Sequence, residues 1–94
     1  MINGKEEWIV GYINNLDGIK AVDMLDEDFV DKFIQQFNAK HQATLIGAYR
    51  CNELSRLLGK MYKNGLLVRY PMGLRSGAYQ DGFPKWIYCY EVYN

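Results

Sequence analysis

Apolar residues recur at three- and four-residue spacing in three stretches of the chain, and each stretch predicts an amphipathic helix with one stripe turned to a core. The first stripe is Trp8, Ile9, Tyr12, Ile13 and Leu16. Asn3 suits its N-cap, Glu6 is the reciprocal capping partner, and Asp17-Gly18 ends the helix. The second stripe is Phe29, Val30, Phe33, Ile34 and Phe37. Asp23 or Asp26 caps it, and Asp26, Glu27 and Asp28 stand where a helix dipole favours anions. The third lies within Cys51 to Arg69, with Leu54, Leu57, Leu58 and Met61 on its buried side. It begins between Tyr49 and Asn52 and stops at Asn64-Gly65, since either residue takes the left-handed conformation cheaply.

Strand signals follow the third stripe at once. The run Leu66-Leu67-Val68 ends in Arg69. Tyr70 to Pro84 carries Gly73, Gly77 and Gly82, which marks a long, irregular hairpin connection. From Lys85 to Tyr93 the residues alternate, with Trp86, Tyr88, Tyr90 and Val92 on one face and Lys85, Ile87, Cys89 and Glu91 on the other. The tyrosine-rich face is expected to close the core, its phenol groups at the rim. Residues 43–46 are too apolar for a free loop, and a short turn of helix beneath the third helix is expected there. The class is therefore α+β, one domain over residues 1–94. Its expected core is Trp8, Tyr12, Phe29, Phe33, Phe37, Leu54, Leu57, Leu58, Met61, Leu66 and Trp86.

The string ELSRLLGKMYKNGLLVR resembles the recognition helix and first wing strand of winged helix-turn-helix regulators, often written (V/L)SRLL..(L/M)...GL(I/V).R. GFPKWIYCYEV resembles the returning wing strand, in a form associated with small winged-helix-like proteins of phages and prophages. The resemblance covers the C-terminal half well and the N-terminal half by helix count. It implies a three-helix winged helix-turn-helix with a C-terminal β-hairpin wing, and a small extra strand within Ile19 to Met24 pairing against that wing. One departure stands out: Ala39 to Arg50 is far longer than the turn of about three or four residues in a compact helix-turn-helix.

Half the residues, 49%, are hydrophobic, so a folded globule is expected over disorder. No stretch resembles a signal peptide or membrane span, which points to the cytoplasm and to no membrane partner. Cys51 and Cys89 lack metal-motif spacing and read as reduced thiols. Eleven basic and eleven acidic residues cancel overall, yet residues 1–38 hold three basic and eight acidic (−5) while residues 39–94 hold eight and three (+5). The positive half is the one that resembles a reading head, so a split surface potential is expected.

The face Asn52, Ser55, Arg56, Lys60 and Lys63 opposes the leucine stripe of the third helix and is the leading candidate site. Asparagine bonds the major-groove edge of adenine, arginine that of guanine, and lysines near a helix end reach phosphates. The plain alternative is a solvated helix face. Gly59 on this face either permits close approach of a partner or is tolerated there. Arg75, near the tip of the expected wing, suits a narrow minor groove or is a surface arginine. Asp23, Asp26, Glu27, Asp28 and Asp31 lack the calcium-loop pattern and read as capping and solvated residues, so no metal and no cofactor are expected. His41 is the sole histidine, and no nucleophile elbow or phosphate loop occurs, so no catalytic residues are expected. Two functions fit. One is a regulator binding double-stranded DNA, paired into a homodimer through the first helix, with Trp8 and Ile9 as its surface. The other is a protein-interaction adaptor, a phage factor binding a host protein through the acidic N-terminal half.

Overall fold

The computed structural model describes residues 4–43, 49–73 and 86–93. In chain order these form α1 (Gly4–Asn14), α2 (Glu27–Phe37), β1 (Gln42–Ala43), β2 (Tyr49–Arg50), α3 (Asn52–Lys63), β3 (Leu67–Gly73) and β4 (Trp86–Val92). α2 and α3 are bounded for local reasons. Asp26 caps α2 by accepting the Phe29 amide at 3.2 Å. At its other end Asn38 takes a left-handed φ of 49°, and the Ala39 amide returns to the Ile34 carbonyl at 3.2 Å. At the end of α3 the same closure falls on Gly65, at φ 81°. Gly65 N–H donates to Tyr62 O (3.1 Å) and Leu66 N–H to Met61 O (2.9 Å), which satisfies two terminal carbonyls and lays Leu66 back over the helix. The Asn3 cap of α1 lies outside the described residues.

β3 and β4 pair antiparallel from Leu67↔Val92 to Gly73↔Trp86. β4 has a second neighbour: Val22 bridges Tyr90, with amide–carbonyl bonds of 3.0 and 2.8 Å in the two directions. The strand expected in the first connector is thus a single bridge. β1 and β2 form a separate antiparallel pair, Gln42↔Arg50 and Ala43↔Tyr49. Ala43 is therefore extended, in place of the expected turn of helix, and the rest of that apolar run is outside the described residues. Two-residue strands display no alternation, so this hairpin leaves no periodic trace.

The core is built from Ile9, Ile13, Phe29, Val30, Phe33, Leu54, Leu58, Met61 and Leu67, closed by Val22, Ile34, Ala39, Cys51 and Tyr90. Trp8, Tyr12, Phe37, Leu57 and Leu66, expected in the core, are half-buried and pack against it. The isoleucines beside Trp8 and Tyr12 take the interior, and the large rings tile the edge: Trp8 stacks on Tyr12 at 5.5 Å and meets Phe33 edge-on at 5.7 Å. Of the tyrosine face of β4, Tyr90 is 6% exposed and Tyr88 36%, because the helices cover only the end of the sheet near Leu67. The side chain of Trp86 is outside the described set. Among the described residues no helix is long and apolar enough to cross a membrane.

Candidate nucleic-acid interface

α3 packs on β3 and buries Leu54, Leu58 and Met61 in the core, which sets its opposite side toward solvent. Asn52, Ser55, Arg56, Lys60 and Lys63 are all exposed there, along a rise of about 16 Å at 1.5 Å per residue. Cys51 is the N-cap, without a side-chain cap bond, so Asn52 is the first helical residue and its side chain is not engaged in capping. None of Arg56, Lys60 or Lys63 makes an ion pair with a described residue. A Cβ added at Gly59 would meet no atom within 4 Å, so the chain's own packing does not require glycine at this point. Arg75 lies outside the described residues.

Two features near this face leave no signal in the sequence pattern. The first is Arg69, whose guanidinium lies 4.0 Å from the ring centroids of both Tyr62 and Tyr88. Burial works to lower its pKa, but a hydrogen bond to Tyr90 and the phenols of Tyr88, Tyr90 and Tyr62 outweigh it and raise the value. Cation–π contact with two rings holds the arginine at the carboxyl end of α3. The second is a groove where the β1–β2 hairpin meets the start of α3, lined by Lys40, His41, Gln42, Arg50, Asn52, Glu53 and Arg56 with Asn38 and Ala39. His41 Nδ1 is 3.1 Å from the Ala39 carbonyl, and its ring meets Tyr49 edge-on at 4.9 Å.

Three acidic residues of the N-terminal half, Asp23, Asp26 and Asp28, are engaged locally. Asp26 caps α2, and Asp23 accepts the Leu25 amide at 2.8 Å. Asp28 accepts the Tyr12 hydroxyl at 2.5 Å and pairs with Lys32 at 3.3 Å. Those bonds, Tyr12 first and Lys32 after, hold the Asp28 carboxyl below its ordinary value against the effect of burial. Burial and the same hydrogen bond push the Tyr12 phenol well above the usual range. Of the two residues expected at a dimer surface on α1, Ile9 is 0% exposed and is unavailable for it, while Trp8 is half-buried with its ring against Phe29, Phe33 and Phe37.

The described residues form an α+β fold of three helices and two antiparallel strand pairs, with an exposed, cationic face on the third helix. Compared with protein-family models, with curated proteins and with solved structures, the chain matches none.

Proposed function

We propose that this protein is a winged-helix-like DNA-binding protein, a transcription regulator of phage or prophage type that lays α3 in the major groove. The observation that carries the reading is the exposed row Asn52, Ser55, Arg56, Lys60 and Lys63, whose cations have no ionic partner among the described residues. The element order and the Val22 bridge beside β4 are compatible with such a fold, in which β3 and β4 are the wing strands. Asn52 and Arg56 read base edges. Lys60 and Lys63 neutralise phosphates, and Arg75, outside the described residues, is assigned to the minor groove from the sequence alone. The test is a titration of variants against a duplex selected by the wild type. Asn52→Ala or Arg56→Ala removes sequence preference at about 1–3 kcal/mol per lost bidentate contact, and Lys63→Ala weakens all duplexes alike. Variants that bind selected and random duplex as the wild type does would defeat this assignment.

A second reading, an adaptor that docks a host protein, is favoured by the groove beside Trp8, Tyr12, Leu16, Asp28 and Lys32 between α1 and α2. It predicts that Trp8→Ala breaks a pull-down that Arg56→Ala leaves intact.

A further inference from the structure

We infer that the groove between the β1–β2 hairpin and the start of α3 is a phosphate-backbone clamp, in which Lys40 and Arg50 bind one strand of the duplex whose bases α3 reads. This rests on the DNA-binding reading of α3 and adds to it a site on a different element.

The groove concentrates charge of one sign. Lys40, Arg50 and Arg56 line it, and none has an ionic partner among the described residues. Its one carboxylate, Glu53, is held by Lys5 of α1 at 2.6 Å, so that charge is already met from behind. Three cations facing one concavity repel each other unless a polyanion lies between them. Amide groups of Asn38, Gln42 and Asn52 line the same walls and offer neutral donors.

The positions are set by structure. The Gln42↔Arg50 pairing fixes Arg50 across from the limb that carries Lys40, β2 packs against α2, and the His41 contacts to Ala39 and Tyr49 tie the two limbs together. Arg56 lies one helical turn after Asn52, so the groove runs directly into the exposed face of α3. The long connector between α2 and α3 thereby gains a purpose: it carries two cations to the flank of the reading helix. Duplex DNA is the occupant because a groove continuous with a base-reading face meets the backbone beside those same bases.

The experiment compares Lys40→Gln/Arg50→Gln with Lys20→Gln/Lys32→Gln, which removes two charges elsewhere. Binding to the selected duplex and to a random one is followed by fluorescence anisotropy across a salt series. Each neutralised phosphate contributes about 0.9 to the slope of log affinity against log salt, so the groove variant is expected to be shallower by about 1.8. The fall in its affinity between 50 and 200 mM salt is then about tenfold smaller than for the wild type. Its ratio of selected to random binding stays that of the wild type, and Lys20→Gln/Lys32→Gln keeps the wild-type slope. Single changes at Lys40 and at Arg50, each shallower by about 0.9, carry the test if the double variant does not fold. If the groove variants keep the wild-type slope, or if both pairs shift it equally, the clamp is wrong while α3 remains a DNA reader. If the wild type binds no duplex, both fall together.

Discussion

Replacing Phe33 with alanine tests the packing that holds the α3 face in place. Phe33 is 0% exposed, on the face of α2 that meets α1, and it touches two other rings, Trp8 at 5.7 Å and Phe37 at 5.0 Å. Truncation removes the transfer free energy of the ring and leaves a cavity bordered by those rings, which relax only in part. Fully buried phenylalanines cost about 3–5 kcal/mol on this change, a large share of the roughly 5–14 kcal/mol that holds a domain of 94 residues. At about 4–8 °C per kcal/mol, the melting midpoint should fall by at least about 12 °C. Gln35→Ala, two residues along the same helix and exposed, is the control and should stay within about 0.5 kcal/mol of wild type. Thermal melts followed by far-ultraviolet circular dichroism measure both. A Phe33→Ala midpoint within about 3 °C of wild type, or a Gln35→Ala midpoint that falls as far, would show that α2 turns a different face to the core.

Gly59→Ala should raise stability by about 0.8–1 kcal/mol, because the added methyl meets no atom within 4 Å and the helix gains propensity; a lower melting midpoint contradicts this. Asp28, with its carboxyl held below the ordinary 3.8, binds its proton less tightly folded than unfolded. Its contribution is therefore present above the unfolded value and lost as pH falls through the lowered folded one. The gap in urea midpoint between wild type and Asp28→Asn should close on acidification from pH 6 to below about pH 3, and a constant gap would refute the pairing. The thiols should differ. Cys51 is 0% exposed, whereas Cys89 is half-buried with its pKa raised by burial and by Asp23 and Glu91. Iodoacetamide near neutral pH should label Cys89 slowly and Cys51 only on unfolding, read by mass spectrometry; the reverse order would misplace both.

What the chain discloses before folding is what repeats along it. The three helices are legible because Phe29, Phe33 and Phe37, or Leu54, Leu58 and Met61, recur with helical period over about two turns, and because Asp26 carries a start signal and Gly65 a stop signal, each with one physical meaning. The choice between neighbours on one face is less legible. Ile9 and Ile13 fill the interior while Trp8 and Tyr12 edge it, since a tyrosine hydroxyl must find a partner, in this fold Asp28, and an indole is rarely wholly enclosed. Alternation places Tyr88 and Tyr90 on one face of β4, but which is covered depends on where the helices end. Of the candidate site, the row on α3 follows from its period. Lys40 and Arg50 were invisible because a pair of two-residue strands has no pattern to read, and the Tyr62–Arg69–Tyr88 stack depends on strand register and on the docking of α3.

The central claim is that the cationic face of α3 binds duplex DNA, and wild-type protein titrated into a labelled random-sequence duplex tests it most directly. Fluorescence anisotropy across a salt series should show saturable binding at low salt that weakens as salt rises, with a log–log slope of about −0.9 for each phosphate neutralised. Overall neutrality, with eleven basic and eleven acidic residues, makes that binding weak at physiological salt. No binding at low salt, where the electrostatic contacts are strongest, or binding indifferent to salt, would contradict the account.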